Sequence, residues 1–442
     1  MADNIGTRLG GEPPERAGGG MEPGAEYTGR YVVLLDQTDP ERGMNALRSS
    51  AGVAVAERVS GARPESMMEG LGRPDVSVVF DEIGVAVVDA QPDQRHALVT
   101  TAEAEPTILA AEPERYVYAS VITEAQQTLT GFFPAYRSDE EALSHFTEAQ
   151  VAAHLGPAWD SSNTTWGLQA IRANLTTLTG QGTKIAVLDT GVDTDHPDLA
   201  GCLEDTASFV LGESVEDVHG HGTHCIGTVA GPASPAEGPR YGVAVQARIL
   251  AGKVLGRSGS GTDGQILAGI NWAVAHGARV ISMSLGARVM PTELYPQTYE
   301  QVAQRALQRG TVIVAAAGNG SRRPWNVLPV ERPANCPSIL AVAAVGKDLS
   351  TARFSCCAFN LQGGEVNIAA PGVDVYSAAP NGEYATMSGT SMATPHVAGA
   401  LALISQANPD ASAADLKSRL MSGAYPLPQP VEDVGAGLLQ VP

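Results

Sequence analysis

The sequence predicts an α/β protein, with a doubly wound, mostly parallel sheet over residues 163–442 and a small α+β domain over residues 30–119 before it. Near-continuous apolar runs recur after residue 183, the form taken by parallel strands covered on both faces. Segments of helical period alternate with those runs. A shorter set of strand and helix signals, closing near residue 119, precedes them.

In chain order, residues 1–29 are rich in Gly, Pro and Glu and read as a disordered tail. YVVLL (31–35) reads as a strand and ERGMNALRSS (41–50) as a helix. VSVVFDEIGVAVVDA (76–90) reads as two strands about an Asp-Glu turn, QPDQRHALVTTA (91–102) as a second helix, and RYVYA (115–119) as a last strand. Residues 120–162 form a linker with one helical candidate at 139–155. Then KIAVLD (184–189), ARILAGKVL (247–255), ARVISMSLG (278–286), TVIVAAAG (311–318) and ILAVAAVG (339–346) read as buried strands. Between them, DGQILAGINWAVAHG carries Ile266, Ile270 and Val274 on one helical face and stops at Gly277; YEQVAQRALQRG stops at Gly310. Ligands of such sheets bind beyond the strand carboxyl ends, so candidate residues are sought there.

The chain of 442 residues is 43% hydrophobic, 17% charged and 5% aromatic, with 49 glycines, an ordinary globular composition rich in small residues. A net charge of −20 excludes a nucleic-acid partner that needs clustered Lys and Arg. Five cysteines, Cys202, Cys225, Cys336, Cys356 and Cys357, form no disulfide framework and read as reduced. No apolar run is long enough to span a bilayer, so no membrane partner is expected. Residues 1–30 contain no secretory apolar core, so a cytoplasmic location is expected, the alternative being secretion with the signal removed or by a non-classical route.

Four segments carry chemistry. AVLDTGVDTDHPDL delivers Asp189 at a strand end, and HGHGTHCIGTVAG contains His221. IVAAAGNG puts Asn319 after a strand, and MSGTSMATPHVAGALAL opens an apolar helix with Ser391. Acyl transfer needs a nucleophile, a base for its proton, an acid to orient the base and donors for the developing oxyanion. A serine near a helix start has free backbone N–H groups around it, and an asparagine amide adds another donor. Each of these residues alone is more often structural than catalytic; together they point to a serine hydrolase.

These segments resemble the subtilisin-like serine peptidases, and the resemblance covers nearly all of 163–442, with GTSMATPHVAG its most specific stretch. It implies that Asp189 orients His221, that His221 is general base and then acid, that Ser391 attacks a peptide carbonyl, and that Asn319 with the Ser391 N–H holds the oxyanion. It also implies that Gly259, Ser260 and Gly261 on one side, and Ser284, Leu285 and Gly286 on the other, are the backbone edges that clamp an extended peptide. Cys225, four residues beyond His221, resembles the proteinase K branch. Residues 30–119 resemble the family's ferredoxin-like prodomain, an intramolecular inhibitor whose tail PERYVYA (113–119) lies in the cleft. That implies a self-processed zymogen acting on peptide or protein substrates, with a cut near Tyr118 to Ser120 or within the linker. No cofactor is required for the chemistry and no metal residue is assigned. Asp198 matches a calcium ligand of some relatives, but GPASPAEGPRYGVA (231–244) lacks the rest of that site, and Asn367 stands where another calcium site has Asp.

Rival readings are weaker. His219, His221 and His224 spell H-x-H-x-x-H, yet Thr223 stands where a metallohydrolase would place Asp. G-S-G-T-D-G (259–264) formally fits a dinucleotide loop but lacks the acidic ribose ligand downstream. Ala393 breaks the G-x-S-x-G of an α/β-hydrolase. A non-catalytic binder retaining the fold is the alternative from another class, and within the enzyme reading broad degradation competes with maturation of one precursor.

Overall fold

Alternating apolar residues let the N-terminal sheet cover its two faces with different partners. The computed structural model describes residues 26–61, 64–72, 77–120, 157–359 and 363–442; the helix expected over 139–155 lies outside them. Strands β1 (Tyr27–Leu35), β2 (Val55–Val59), β3 (Ser77–Phe80), β4 (Val85–Asp89) and β5 (Ile108–Ala119) lie in the order β5-β1-β4-β3-β2. Only β2 and β3 run parallel. Helices α1 (Pro40–Ser50), α2 (Pro64–Leu71) and α3 (Arg95–Ala104) connect them. Asp39 caps α1 by accepting from Arg42 N at 3.2 Å, and Pro40 takes the first turn, where no N–H is needed. Val33, Leu35, Ala86 and Val88 pack with Leu47 of α1 and Leu98 of α3. Their neighbours Val32, Leu34, Val85 and Val87 face the other way and join the core of the larger unit.

That larger unit is built on β6 (Lys184–Asp189), β7 (Leu203–Ser208), β8 (Arg248–Lys253), β10 (Val280–Met283), β12 (Val312–Ala316), β13 (Leu340–Val345) and β14 (Ile368–Pro371). They form one parallel sheet in the order β14-β13-β12-β10-β6-β8-β7. Two short strands, β9 (Ser260–Thr262) and β11 (Leu285–Gly286), leave it for β5, while β15 (Val375–Ala379) and β16 (Glu383–Met387) form a hairpin. Helices α4 (Trp166–Ala170), α5 (His221–Ala230), α6 (Asp263–Ala275), α7 (Gln297–Gln308), α8 (Thr390–Ala407), α9 (Ala413–Ser422) and α10 (Val431–Val434) complete it. In β6, Ala186 and Leu188 meet Ile266, Ile270 and Val302 of α6 and α7, whereas Ile185 and Val187 meet Val229 of α5 and Leu401 of α8. Truncating Leu188, Ile266, Ile270 or Leu401, each fully buried, to Ala costs about 2–5 kcal/mol.

The two units are joined by carboxylates as well as by apolar packing. Glu112 accepts from Gln297 N (2.8 Å) and Thr298 N (3.2 Å) at the start of α7, and Glu114 accepts from Gly264 N (2.9 Å) at the start of α6. Asn271 Oδ1 accepts from Glu82 N and Ile83 N at 3.0 and 3.3 Å. A Thr262–Gln265 capping box opens α6. The Gly264 N–H that a phosphate would need is thus already occupied.

Several boundaries differ from the sequence expectation. β1 begins at Tyr27, so residues 27–29, expected in the tail, are strand. The strand expected at 115–119 begins at Ile108, and the run 278–286 breaks at Ser284 because its last two residues pair with β5 instead of the parallel sheet. β2, α2, β7, β14 and the β15–β16 hairpin were not foreseen.

Candidate active site

Asp189 is the last residue of β6 and is buried. Its Oδ1 lies 2.7 Å from His221 Nδ1 and accepts from Thr190 N at 2.7 Å. His221 opens α5, whose free N–H groups converge on Asp217, which accepts from Gly220 N, Thr223 N and Thr223 Oγ1 at 2.8 Å and from Thr190 Oγ1 at 2.9 Å. Thr190 Oγ1 in turn accepts from Gly222 N at 2.8 Å, tying the strand end to the helix start. Gly191 sits at φ +111, where a Cβ would strike the Val215 carbonyl, so only glycine turns the chain there. Burial disfavours a charged His221 ring, but the Asp189 carboxylate outweighs it and holds the imidazole well above its usual range. Burial likewise opposes ionisation of Asp217, yet its N–H donors hold it below the usual carboxylate value.

Ser391 is the second residue of α8. Asn319 follows β12 with its amide locked: Oδ1 accepts from Thr390 N (2.9 Å) and Thr390 Oγ1 (3.0 Å), which turns Nδ2 outward. The Ser391 carbonyl has no helical donor, because the residue four positions on is Pro395. It accepts instead from Ser284 Oγ at 2.8 Å and Cys225 Sγ at 3.7 Å.

The tail of β5 lies between β9 and β11 as an added antiparallel strand. Tyr116, Val117 and Tyr118 face Thr262, Gly261 and Ser260; Tyr118 and Ala119 face Gly286 and Leu285. Ala119 N donates to Gly259 O at 2.8 Å and Ser120 N to Ser284 O at 3.1 Å. Val117 is buried while Tyr116 and Tyr118 are exposed, the alternation of an extended strand on a surface. The Ser120 carbonyl accepts from Asn319 Nδ2 at 2.5 Å and from Ser391 Oγ. A Cβ on Gly389 would come within 2.8 Å of that carbonyl oxygen, so the glycine keeps its space open.

One contact differs from expectation. Ser391 Oγ turns to the Ser120 carbonyl rather than to His221, whose buried Nε2 takes no hydrogen bond among the described residues. The tail competes for the hydroxyl. Cys225 Sγ lies 4.0 Å from His221 Nδ1, on the helical face expected. Burial lowers His224 and His396 to about 3 and 4, and each bonds to a backbone carbonyl, of Val375 and Met392. Asp198 does not fit a calcium ion. Its carboxylate accepts from Ala236 N (2.8 Å), Tyr241 OH (2.6 Å) and Tyr384 OH (2.9 Å), three donors where a cation would need acceptors. Asn367 Oδ1 is likewise taken, by Ala341 N at 2.7 Å. Sequence reasoning missed Thr190, Asp217 and Thr390, which act through backbone groups; the Thr of Asp-Thr-Gly and of Gly-Thr-Ser was the available signal.

A doubly wound sheet whose strand ends gather carboxylate, imidazole, hydroxyl and amide about an extended peptide is the architecture of a peptide hydrolase. Residues 180–437, more than half of the sequence, match the Subtilase family, and the chain belongs to that family. It is 42% identical over 266 residues to Subtilisin Savinase of Lederbergia lenta, spanning 59% of this chain and 91% of that protein. The same identity and length relate it to an Alkaline protease of Alkalihalobacillus alcalophilus, of which 65% is spanned. Thermitase of Thermoactinomyces vulgaris is 42% identical over 234 residues, 53% of this chain and 78% of that protein. The chain is a subtilisin-like serine endopeptidase. No helix among the described residues is long and apolar enough to cross a membrane.

Proposed function

We propose that the chain is a self-processing zymogen in which Asp189, His221 and Ser391 form the triad, Asn319 completes the oxyanion hole, and residues 30–119 act as an inhibitory prodomain. The reading is supported above all by one observation: the Ser120 carbonyl is gripped by Ser391 Oγ and Asn319 Nδ2 at the end of a strand paired with both cleft edges. Ser391 Oγ adds to that carbonyl as its proton passes to His221 Nε2, and the oxyanion is held by Asn319 Nδ2 and the Ser391 N–H. Collapse breaks the Ser120–Val121 bond, with the proton returned from His221 to the amine of Val121. Water, deprotonated by His221, then releases the Ser120 carboxylate and regenerates the hydroxyl. The steps draw on side chains and water and call for no cofactor. Other peptide or protein substrates would enter as the same added strand once the prodomain leaves.

N-terminal sequencing of the matured protein tests this reading, with Val121 the expected first residue. Fully active protein beginning at Met1 or Ala2 would refute prodomain removal. Ser391→Ala should leave the chain uncut and lower turnover by about 10⁶, a magnitude borrowed from subtilisin.

A further inference from the structure

Glu331 is a carboxylate that the chemistry above leaves unused. Its backbone N–H donates to the Ala317 carbonyl at 2.9 Å, and Arg332 exchanges backbone hydrogen bonds with Ala287 at 3.1 and 2.9 Å. Residues 331–332 therefore bridge the segment after β12 and the segment after β10. Those two segments hold Ser120 from either side, Ser284 through its carbonyl and Asn319 through its amide.

The Glu331 side chain fills the space between the glycines of both walls. A Cβ on Gly318 would approach its Cγ and Cδ to 2.5 Å, and a Cβ on Gly286 would approach Oε2 to 3.1 Å. The Glu331 carboxylate thus lies between glycines of the two segments that hold Ser120. Glu331 is partly buried, yet its carboxylate accepts no hydrogen bond among the described residues. Arg288, the cation acting on it, is exposed and forms no ion pair with it among those residues. A part-buried carboxylate without a partner is costly for the fold, and a cation arriving from a ligand relieves that cost. Burial raises Glu331 to about 7, opposed by Arg288, so the group is mostly ionised at mildly alkaline pH.

We propose that Glu331 floors the pocket for the side chain preceding the cut bond and selects lysine or arginine there. The proposal rests on the reading of Ser120 as the residue at the cut. Ser120 itself is too short for the floor: its hydroxyl stops at Asn319 Nδ2 (3.1 Å) and Thr390 Oγ1 (3.5 Å). Its cut is intramolecular, where proximity replaces side-chain affinity. Free substrates lack that advantage and depend on the floor.

The test uses the processed enzyme and peptides identical except for Lys, Gln, Ala or Glu before the cut, with kcat/KM measured at pH 8.5. Lys should exceed Gln by about ten- to hundredfold, as a close charge pair supports, with Glu the poorest. In Glu331→Gln the Lys-to-Gln ratio should fall to within about threefold, as loss of that charge pair requires. A wild-type ratio near unity overturns the proposal without any variant, and an unchanged ratio in Glu331→Gln overturns it as well. Cleavage of the peptides without charge preference refutes the pocket alone; failure to cleave any of them refutes the catalytic reading on which it rests.

Discussion

If the N-terminal unit closes the cleft, much of its grip should reside in Glu114. That side chain is fully buried, and its carboxylate accepts from Arg30 at 2.7 and 2.9 Å, from Thr28, and from Gly264 N at 2.9 Å. Only the Gly264 bond crosses to the larger unit, and it sits at the N-terminus of α6. Glu114→Ala removes one charge-assisted bond, about 1.5–3 kcal/mol, and a favourable charge at a helix end, about 0.3–1 kcal/mol. It also leaves the Arg30 guanidinium beside the interface without its carboxylate. A loss of about 3 kcal/mol corresponds to about hundredfold weaker retention of the cut prodomain. Glu114→Gln keeps an acceptor and should lose less. The assay follows hydrolysis of a peptide reporter by the self-processed protein across a dilution series, which gives the concentration at which the cleft opens. Opening of Glu114→Ala within about threefold of the wild-type concentration, far short of that hundredfold, would refute the reasoning.

Three further outcomes are expected. Asn319→Ala should lower kcat by about 10²–10³ with little change in KM, a magnitude carried over from subtilisin; an equal loss in both the cut of Ser120–Val121 and peptide hydrolysis would tie the effect to one oxyanion hole. Because Asp189 holds His221 well above the ordinary imidazole value of 6.5, the neutral imidazole forms only as pH rises past that value. The kcat/KM profile should therefore lose activity on the acid side with an apparent pKa above 6.5, and a value below it would contradict the pairing. The ligand atoms of Asp189, His221 and Cys225 lie within 4.8 Å of one another, so a mercurial at Cys225 should block the base. Cys225→Ser should abolish that inhibition, and undiminished sensitivity in the variant would place the block elsewhere.

The parallel sheet was legible because β12 is apolar throughout and β6 is apolar from Ile185 to Leu188, as burial on both faces demands. β7 was not, because an edge strand reading LEDTAS exposes polar residues and offers no apolar run. Likewise SLG read as the end of a strand, whereas its backbone crosses to β5; sequence records apolarity, not which partner a backbone edge will meet. Asp189, His221, Asn319 and Ser391 stood out through their flanking glycines. Glu331 did not, since nothing in V-E-R-P separates a pocket floor from a surface acid until the walls beside it are known to be glycine.

Pro395 leaves one carbonyl of α8 over, and Ser284 collects it through its hydroxyl while giving its own carbonyl to Ser120 N. One residue therefore touches both the strand seated in the cleft and the backbone of Ser391. A gap in a helical ladder becomes a joint: any shift of the bound strand is felt at Ser284 and passed on to the backbone of Ser391. Alignment of Ser391 with the Ser120 carbonyl is then a property of the seated chain as much as of the empty cleft.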